Sequence, residues 1–423
     1  MYTFWPNERS HSNEGAGDGG RHGAIPIAAV TKDAAANRRA SCGAVALRTC
    51  DAARMKNAAF AIAVLPGDGI GVEVMDACLR VLEALERRIG GFALDLECLP
   101  GGARYFRETG VALDDATFAK CARADAILFG AMGWPDIRYA DGTEIAPQLD
   151  LRFKLKLYAG VRPIRAVPGT PAVLADSRAK AIDLVILRES TEGMFASRGK
   201  GVIEADREAR DTMAITRATS ERLFDFAFRL ARRRQKRRRR PSSVTCVDKA
   251  NVFRSFAFFR RIFEERAQLF PDVEARSHYV DAMALDLVRK PWDFDVIVTE
   301  NLFGDILSDL GAGLIGGMGM APSADIGDEH AMFQPSHGSA PDIAGRGTAN
   351  PTAMLLSAAM MLDWLGERHD VAGARIAAVS LENAVFAAFA EGAVRPMEFG
   401  GVDGTVAIAK AVIERIASPL ATG

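Results

Sequence analysis

The chain has 423 residues, 49% hydrophobic and 25% charged, with a formal net charge of -1. This is an ordinary globular composition, long enough for two domains with a sizeable shared core. Near-neutrality gives no general argument for nucleic acid or an acidic membrane as partner, and no apolar run reads as bilayer-spanning.

The first 57 or so residues are polar and Gly-rich, then aperiodic, without the order of a secretory signal. They read as a disordered extension, or as sequence ahead of a true start at Met55. From Ala58 the pattern becomes α/β. "FAIAVLPGDGIG" is an apolar strand breaking into a Gly-rich turn, and "VEVMDACLRVLEALERRI" has helical periodicity. "ADAILFGAMGWP", "IDLVILRES", "SSVTCVDKAN" and "FDVIVTENLFGD" are further short apolar strands ending in polar turns. Strands alternating with helices argue for a largely parallel sheet covered on both faces. The basic run "RRRQKRRRRP", Arg232 to Pro241, follows a helical pattern and reads as a solvated helix end stopped by proline. A nucleic-acid patch is the competing reading, opposed by the lack of interleaved aromatics. The six cysteines (Cys42, Cys50, Cys78, Cys98, Cys121, Cys246) contain no C-x-x-C pair, which fits reduced thiols in a cytoplasm.

Chemistry concentrates near strand ends. Asp305 and Asp309 stand four residues apart in "TENLFGDILSDLG", so on a helix both carboxylates project from one face. A divalent cation relieves their repulsion, and Mg²⁺ or Mn²⁺ suits oxygen ligands. An exposed acidic pair is the plainer alternative. Asp281, in "HYVDAMALDLV", is a third acid in apolar surroundings. Arg152, Arg162 and Arg188 carry planar forks suited to carboxylates, and surface salt bridging is their ordinary alternative. Lys249 follows a strand directly; buried beside cations it would serve as a general base, and otherwise it is an exposed lysine. "HGSAPDIAGRGTANP", from His337, has the composition of a backbone-lined nucleotide loop but is no G-x-G-x-x-G fingerprint.

Taken in order, "LPGDGIG", "VDAMA", "NLFGDILSDLGAGLIGGMGMAPSA" and "HGSAPDIAG…ANP" resemble the metal-dependent β-decarboxylating dehydrogenases, the isocitrate/3-isopropylmalate dehydrogenase family. The resemblance runs from about Ala58 to the C-terminus. It implies an α/β, isopropylmalate dehydrogenase-like fold of two domains rather than a Rossmann domain. A large cofactor-binding domain would combine residues 58–157 with 316–423, and a smaller one, 158–315, would carry dimer contacts. It further implies that Asp281, Asp305 and Asp309 hold Mg²⁺ or Mn²⁺, and that Lys249 and Asp281 act with it. Arg152, Arg162 and Arg188 would bind the carboxylates of a malate. In relatives the counterparts of Lys249 and Asp281 come from the second subunit, so a homodimer with shared sites is expected. The loop His337, Gly338, Ser339, Ala340, Pro341, Asp342, Ile343 with Asn350 would bind the dinucleotide. Asp342 and Ile343 stand where NADP-dependent relatives place Lys and Tyr, which favours NAD.

Two departures qualify the match. Phe195 occupies the position of a tyrosine that reprotonates the enolate in relatives, and it has no hydroxyl. The specificity stretch offers Gln148 and Leu149, with Val252 nearby by alignment, one polar and two apolar residues. The expected activity is NAD- and metal-dependent oxidative decarboxylation of a 3-substituted (R)-malate, 3-isopropylmalate first. Isocitrate, tartrate or D-malate dehydrogenase is the alternative, as is a catalytically weak regulatory subunit. No nucleic-acid or membrane partner is expected.

Overall fold

The computed structural model describes residues 58–239 and 241–416. The readings of residues 1–57, including Met55, Cys42 and Cys50, and of Arg240 lie outside the described residues. Strand β1 (Ala58–Gly67) leads to helix α1 (Ile70–Ile89), β2 (Phe92–Cys98), α2 (Ala103–Thr109), α3 (Asp115–Arg123) and β3 (Ala126–Ala131). Helix α4 (Pro147–Lys154) precedes β4 (Ala159–Arg165) and β5 (Asp183–Glu189). An exposed hairpin, β6 (Val202–Glu204) and β7 (Glu208–Arg210), comes before α5 (Arg217–Arg238), β8 (Ser243–Asp248) and α6 (Arg254–Ala267). Next are β9 (Glu274–Tyr279), α7 (Val280–Arg289), β10 (Val296–Thr299) and α8 (Asn301–Leu314). The chain then forms β11 (Pro322–Ile326), β12 (Ala331–Pro335), α9 (Thr352–Arg368), α10 (Ala372–Ala390) and α11 (Thr405–Arg415).

Ten strands make one sheet in the order β2-β1-β3-β12-β11-β4-β5-β10-β8-β9. Pairing is parallel except at the centre, where β12–β11, β11–β4 and β4–β5 are antiparallel. Strands β3, β8 and β10 are buried throughout, and β4 and β5 nearly so. Continuous apolar burial, rather than alternation, is what helices on both faces of a sheet produce. Strands from residues 58–157 and 316–423 fill one side, and those from 158–315 fill the other. The two sides meet where Ala324, Asp325 and Ile326 of β11 pair with Val161, Gly160 and Ala159 of β4.

Two expectations are corrected. Helix α10 is long and apolar enough, at mean hydropathy 1.2, to cross a membrane by composition. It packs against α9 and α11, with half of that window buried, and its apolarity serves the core. The basic run does end helix α5, with Lys236 and Arg239 exposed, but much of it is not simply solvated. Arg234 is buried, with Nε 2.6 Å from Asp295 and Nη2 2.8 Å from the Asp183 carbonyl. Arg238 joins the same two aspartates, and Arg232 forks onto Asp272 at 2.8 and 3.0 Å. Acids from β5, the loop before β10 and the loop before β9 thus absorb much of the run. Cys78, Cys121 and Cys246 are buried, Cys98 is exposed, and all four are free thiols.

Candidate active site

The sheet junction opens into a cleft of about 930 Å³ lined by residues of both sides. Helix α4 contributes Gln148, Leu149 and Arg152, with Pro147 starting its first turn. Strand β4 contributes Arg162, and β5 contributes Arg188, one residue before its end. Helix α8 presents Asp305, Ser308 and Asp309 on one face, as their spacing requires. This face can come close to β5 because residue 304 is glycine: a Cβ there would lie 2.6 Å from that of Arg188.

The arginines are buried and braced. Arg188 donates from Nε to Asn301 at 2.9 Å and pairs with Asp305. Burial, reinforced by Arg152, lowers its guanidinium to about 10. Arg152 lies 3.0 Å and Arg162 3.5 Å from Asp325, a fully buried carboxylate at the junction. Ser190 Oγ and Gln334 Nε2 also donate to Asp325, at 3.1 and 2.8 Å. Burial pushes this carboxyl up, but the three arginines together hold it below the usual range. At Asp309 the balance is reversed: burial and the neighbouring Asp305 raise it. That is the electrostatic condition a cation would relieve.

Phe195 lies in the same cleft, its ring centroid 4.9 Å from the Arg188 guanidinium carbon. The ring packs on the cation and offers no proton. Gln148 Oε1, Arg152 Nε, Ser323 Oγ, Ser336 Oγ and His337 Nε2 are buried atoms on cleft residues that find no hydrogen-bond partner among the described residues. Buried polar groups are ordinarily satisfied, so a set converging on one cleft marks where a polar ligand fits.

Of the nucleotide-loop residues, His337 and Gly338 reach the cleft wall. His337 Nδ1 lies 2.9 Å from the Gly338 carbonyl, and burial lowers the imidazole pKa. Ser339 is a structural tie: its carbonyl accepts from Ile70 at 2.8 Å, and its hydroxyl donates to Gly133 at 2.5 Å. Ala340 has φ 37°, Asp342 is exposed, and Pro341 and Ile343 are half-buried. Asn350 is buried, with Nδ2 3.3 Å from Met320 Sδ. The "PGDGIG" turn serves the scaffold, because buried Asp68 accepts from the backbone N–H groups of Ala103, Arg104 and Gly133 at 2.7 to 3.0 Å.

Three expected site residues are elsewhere in this chain. Lys249 Nζ and Asp281 Oδ1 pair at 2.6 Å, outside the cleft lining. Val252 is exposed beside them, its N–H bonded to the Lys249 carbonyl at 3.0 Å. Among the described residues no three acidic, His or Cys side chains gather to hold a metal. Asp305 and Asp309 put two carboxylates on the cleft wall, oxygen donors of a kind that suits Mg²⁺ or Mn²⁺ but fewer than a full ligand set. Asp325 and Gln334 were not singled out from sequence. Yet "PSADIG" carries the signal that marked Asp305, an acid inside an apolar run.

The isocitrate/isopropylmalate dehydrogenase family model matches residues 61–416. The chain belongs to the isocitrate/isopropylmalate dehydrogenase family. A relative from Methanocaldococcus jannaschii named 3-isopropylmalate/3-methylmalate dehydrogenase is 42% identical, over 84% of this chain and 98% of its own. The 3-isopropylmalate dehydrogenase of Moorella thermoacetica is 44% identical, over 76% of this chain and 89% of its own. The crystal structure of isocitrate dehydrogenase from Methylococcus capsulatus superposes with TM-score 0.72 at 37% identity, covering 84% of this chain and 99% of that one. As a member of this family the chain is a decarboxylating dehydrogenase, on a mixed α/β fold with a large, mostly parallel sheet. The family's chemistry fits a dinucleotide and a metal in general terms.

Proposed function

We propose that the chain is a NAD- and Mg²⁺- or Mn²⁺-dependent 3-isopropylmalate dehydrogenase that works as a homodimer with shared active sites. The observation carrying this reading is the convergence of Arg152, Arg162 and Arg188 on the cleft that holds Asp305 and Asp309. Names of relatives at 40 to 44% identity supply the substrate. The dimer is supported by the position of Lys249 and Asp281 outside their own cleft. Val252 and Phe253, in the turn leading into α6, are exposed, as are Leu285 and Val288 of α7 and Leu302 and Ile306 of α8. An apolar face carrying two catalytic candidates suits a second copy of this chain. The two-domain division belongs to the same proposal, with the sheet junction as its boundary.

In this reading, Arg152, Arg162 and Arg188 orient the malate carboxylates by forked hydrogen bonds. Lys249 of the partner subunit takes the hydroxyl proton, and Asp281 of the partner subunit completes the ligand set begun by Asp305 and Asp309. A divalent cation held by these aspartates would supply Lewis acidity toward the α-hydroxy acid, and a bound nicotinamide would supply the hydride acceptor. Exposed Asp342 would accept from a ribose hydroxyl and repel a 2′-phosphate, which is the basis for NAD over NADP. Phe195 covers Arg188 and leaves enolate reprotonation to water or another group.

The test offers isopropylmalate, isocitrate, tartrate and D-malate separately, with NAD or NADP and Mn²⁺, and follows nicotinamide reduction and CO₂ release. Reduction with isopropylmalate and NAD, abolished by EDTA, is expected. Greater kcat/KM with another acid reassigns the substrate. NAD binding with no reduction by any acid favours the regulatory subunit.

A further inference from the structure

Every described arginine of the cleft wall already has a carboxylate partner. Arg152 and Arg162 share Asp325, and Arg188 has Asp305. Nearer the mouth, Arg198 lies 2.8 Å from Asp150. Arg210 pairs with Glu204 and with Glu208, the latter at 2.8 Å. The clamp itself therefore sets three guanidinium charges against three carboxylates, Asp305, Asp309 and Asp325. Lys249 and Asp281 of a partner add one charge of each sign. Counting these groups with a divalent cation and without the cofactor, the excess is two positive charges, which a dicarboxylate cancels and a tricarboxylate overshoots.

We propose that Asp325 is a specificity-determining residue: buried beneath Arg152 and Arg162, its carboxylate tunes the clamp to dianionic malates and against tricarboxylates of the isocitrate class. The proposal rests on the functional reading above and narrows its substrate class. Asp325 is fully buried, so it acts through the arginines rather than by touching substrate. Its contacts suit that role, because each carboxylate oxygen takes one arginine and one neutral donor: Oδ1 meets Arg162 and Ser190, Oδ2 meets Arg152 and Gln334. The region of Gln148 gives a third carboxylate no unpaired cation among the described cleft residues, since Arg198 is already engaged. A unit charge several ångströms away, at an effective dielectric of about 20, is worth one to two orders of magnitude in relative affinity.

Asp325→Asn preserves shape and removes the charge. In one arm, calorimetry on metal-free protein without cofactor compares propane-1,2,3-tricarboxylate with butanedioate, which differ by one carboxylate. In the other, kcat/KM is measured for isocitrate and isopropylmalate with NAD and Mn²⁺. The tricarboxylate-to-dicarboxylate ratio should rise at least about tenfold in each arm, chiefly through Kd and KM rather than kcat. Asp325→Glu, which keeps the charge, should retain the wild-type ratio. A merely structural role would weaken both ligand classes together, and an unchanged ratio overturns the proposal. If wild type turns over none of the acids, the binding arm still decides the role of Asp325, while the functional reading fails separately. If Asp325→Asn does not fold, wild-type protein that binds the tricarboxylate as tightly as the dicarboxylate overturns the proposal, and preference for the dicarboxylate supports it.

Discussion

Phe195 packs on Arg188 at the position where the family resemblance implies a tyrosine. The ring covers a buried cation but has no hydroxyl where a proton is needed. A positioned general acid contributes about a hundred- to ten-thousand-fold. Phe195→Tyr should therefore raise CO₂ release at least about tenfold while leaving the isopropylmalate KM within about twofold, read by comparing CO₂ with NADH in one assay. Equal rates in the variant and wild type would mean that another group already supplies the proton. One residue along the chain, burial raises Glu189 to about 7, against the hydrogen bonds from Thr191 and the Glu192 N–H. The folded state thus holds a proton that the unfolded chain releases near 4.5. Native protein binds more protons across that window, so this group's contribution to stability falls as pH rises from about 4.5 to about 7, then levels off. In Glu189→Gln the melting temperature should vary less with pH over the same interval.

Helix α5 shows what periodicity conveys and what it does not. Its helical form and approximate C-terminal end are legible in "SERLFDFAFRLARRRQKRRRR". The fate of its arginines is not, because Asp183, Asp272 and Asp295 come from distant elements that only the assembled sheet brings alongside. Arg234→Met should cost at least about 1 kcal/mol of unfolding free energy but less than the roughly 3 to 5 of an uncompensated buried charge, since Asp295 and Asp183 keep Arg238 as a partner. Denaturant titration measures this; a loss under about 1 kcal/mol would show the pairing to be replaceable by Arg238. Arg152, Arg162, Arg188, Asp305 and Asp309 were legible because charged side chains inside apolar runs or beside strand ends carry a desolvation cost that calls for a partner. Asp325 met the same criterion and was overlooked, as its segment served only to mark the family. The separation of Lys249 and Asp281 from their own cleft has no local signature. It depends on how β8 and α7 sit in the sheet, and only the resemblance to relatives anticipated it.

At the scale of the molecule, the proposed sharing of each site between two copies makes a genetic prediction. Mixing Lys249→Ala with Asp309→Asn, each inactive alone, should restore activity after the subunits exchange, because one cleft of each mixed dimer is intact. Random pairing gives about a quarter of the wild-type sites. Activity absent from a mixture verified by native mass spectrometry would place catalysis within single chains. The junction of the sheet bears on stability as well. Asp325 belongs to one side, and its two arginines arrive from both, Arg152 from α4 and Arg162 from β4 across only three paired residues. On the proposed reading, the splice between the two halves of the protein is also the floor on which the ligand would rest. A dianion bridging Arg152 and Arg188 would fasten that splice like a staple, so starvation for substrate would leave the enzyme idle and, at the same time, easier to pull apart.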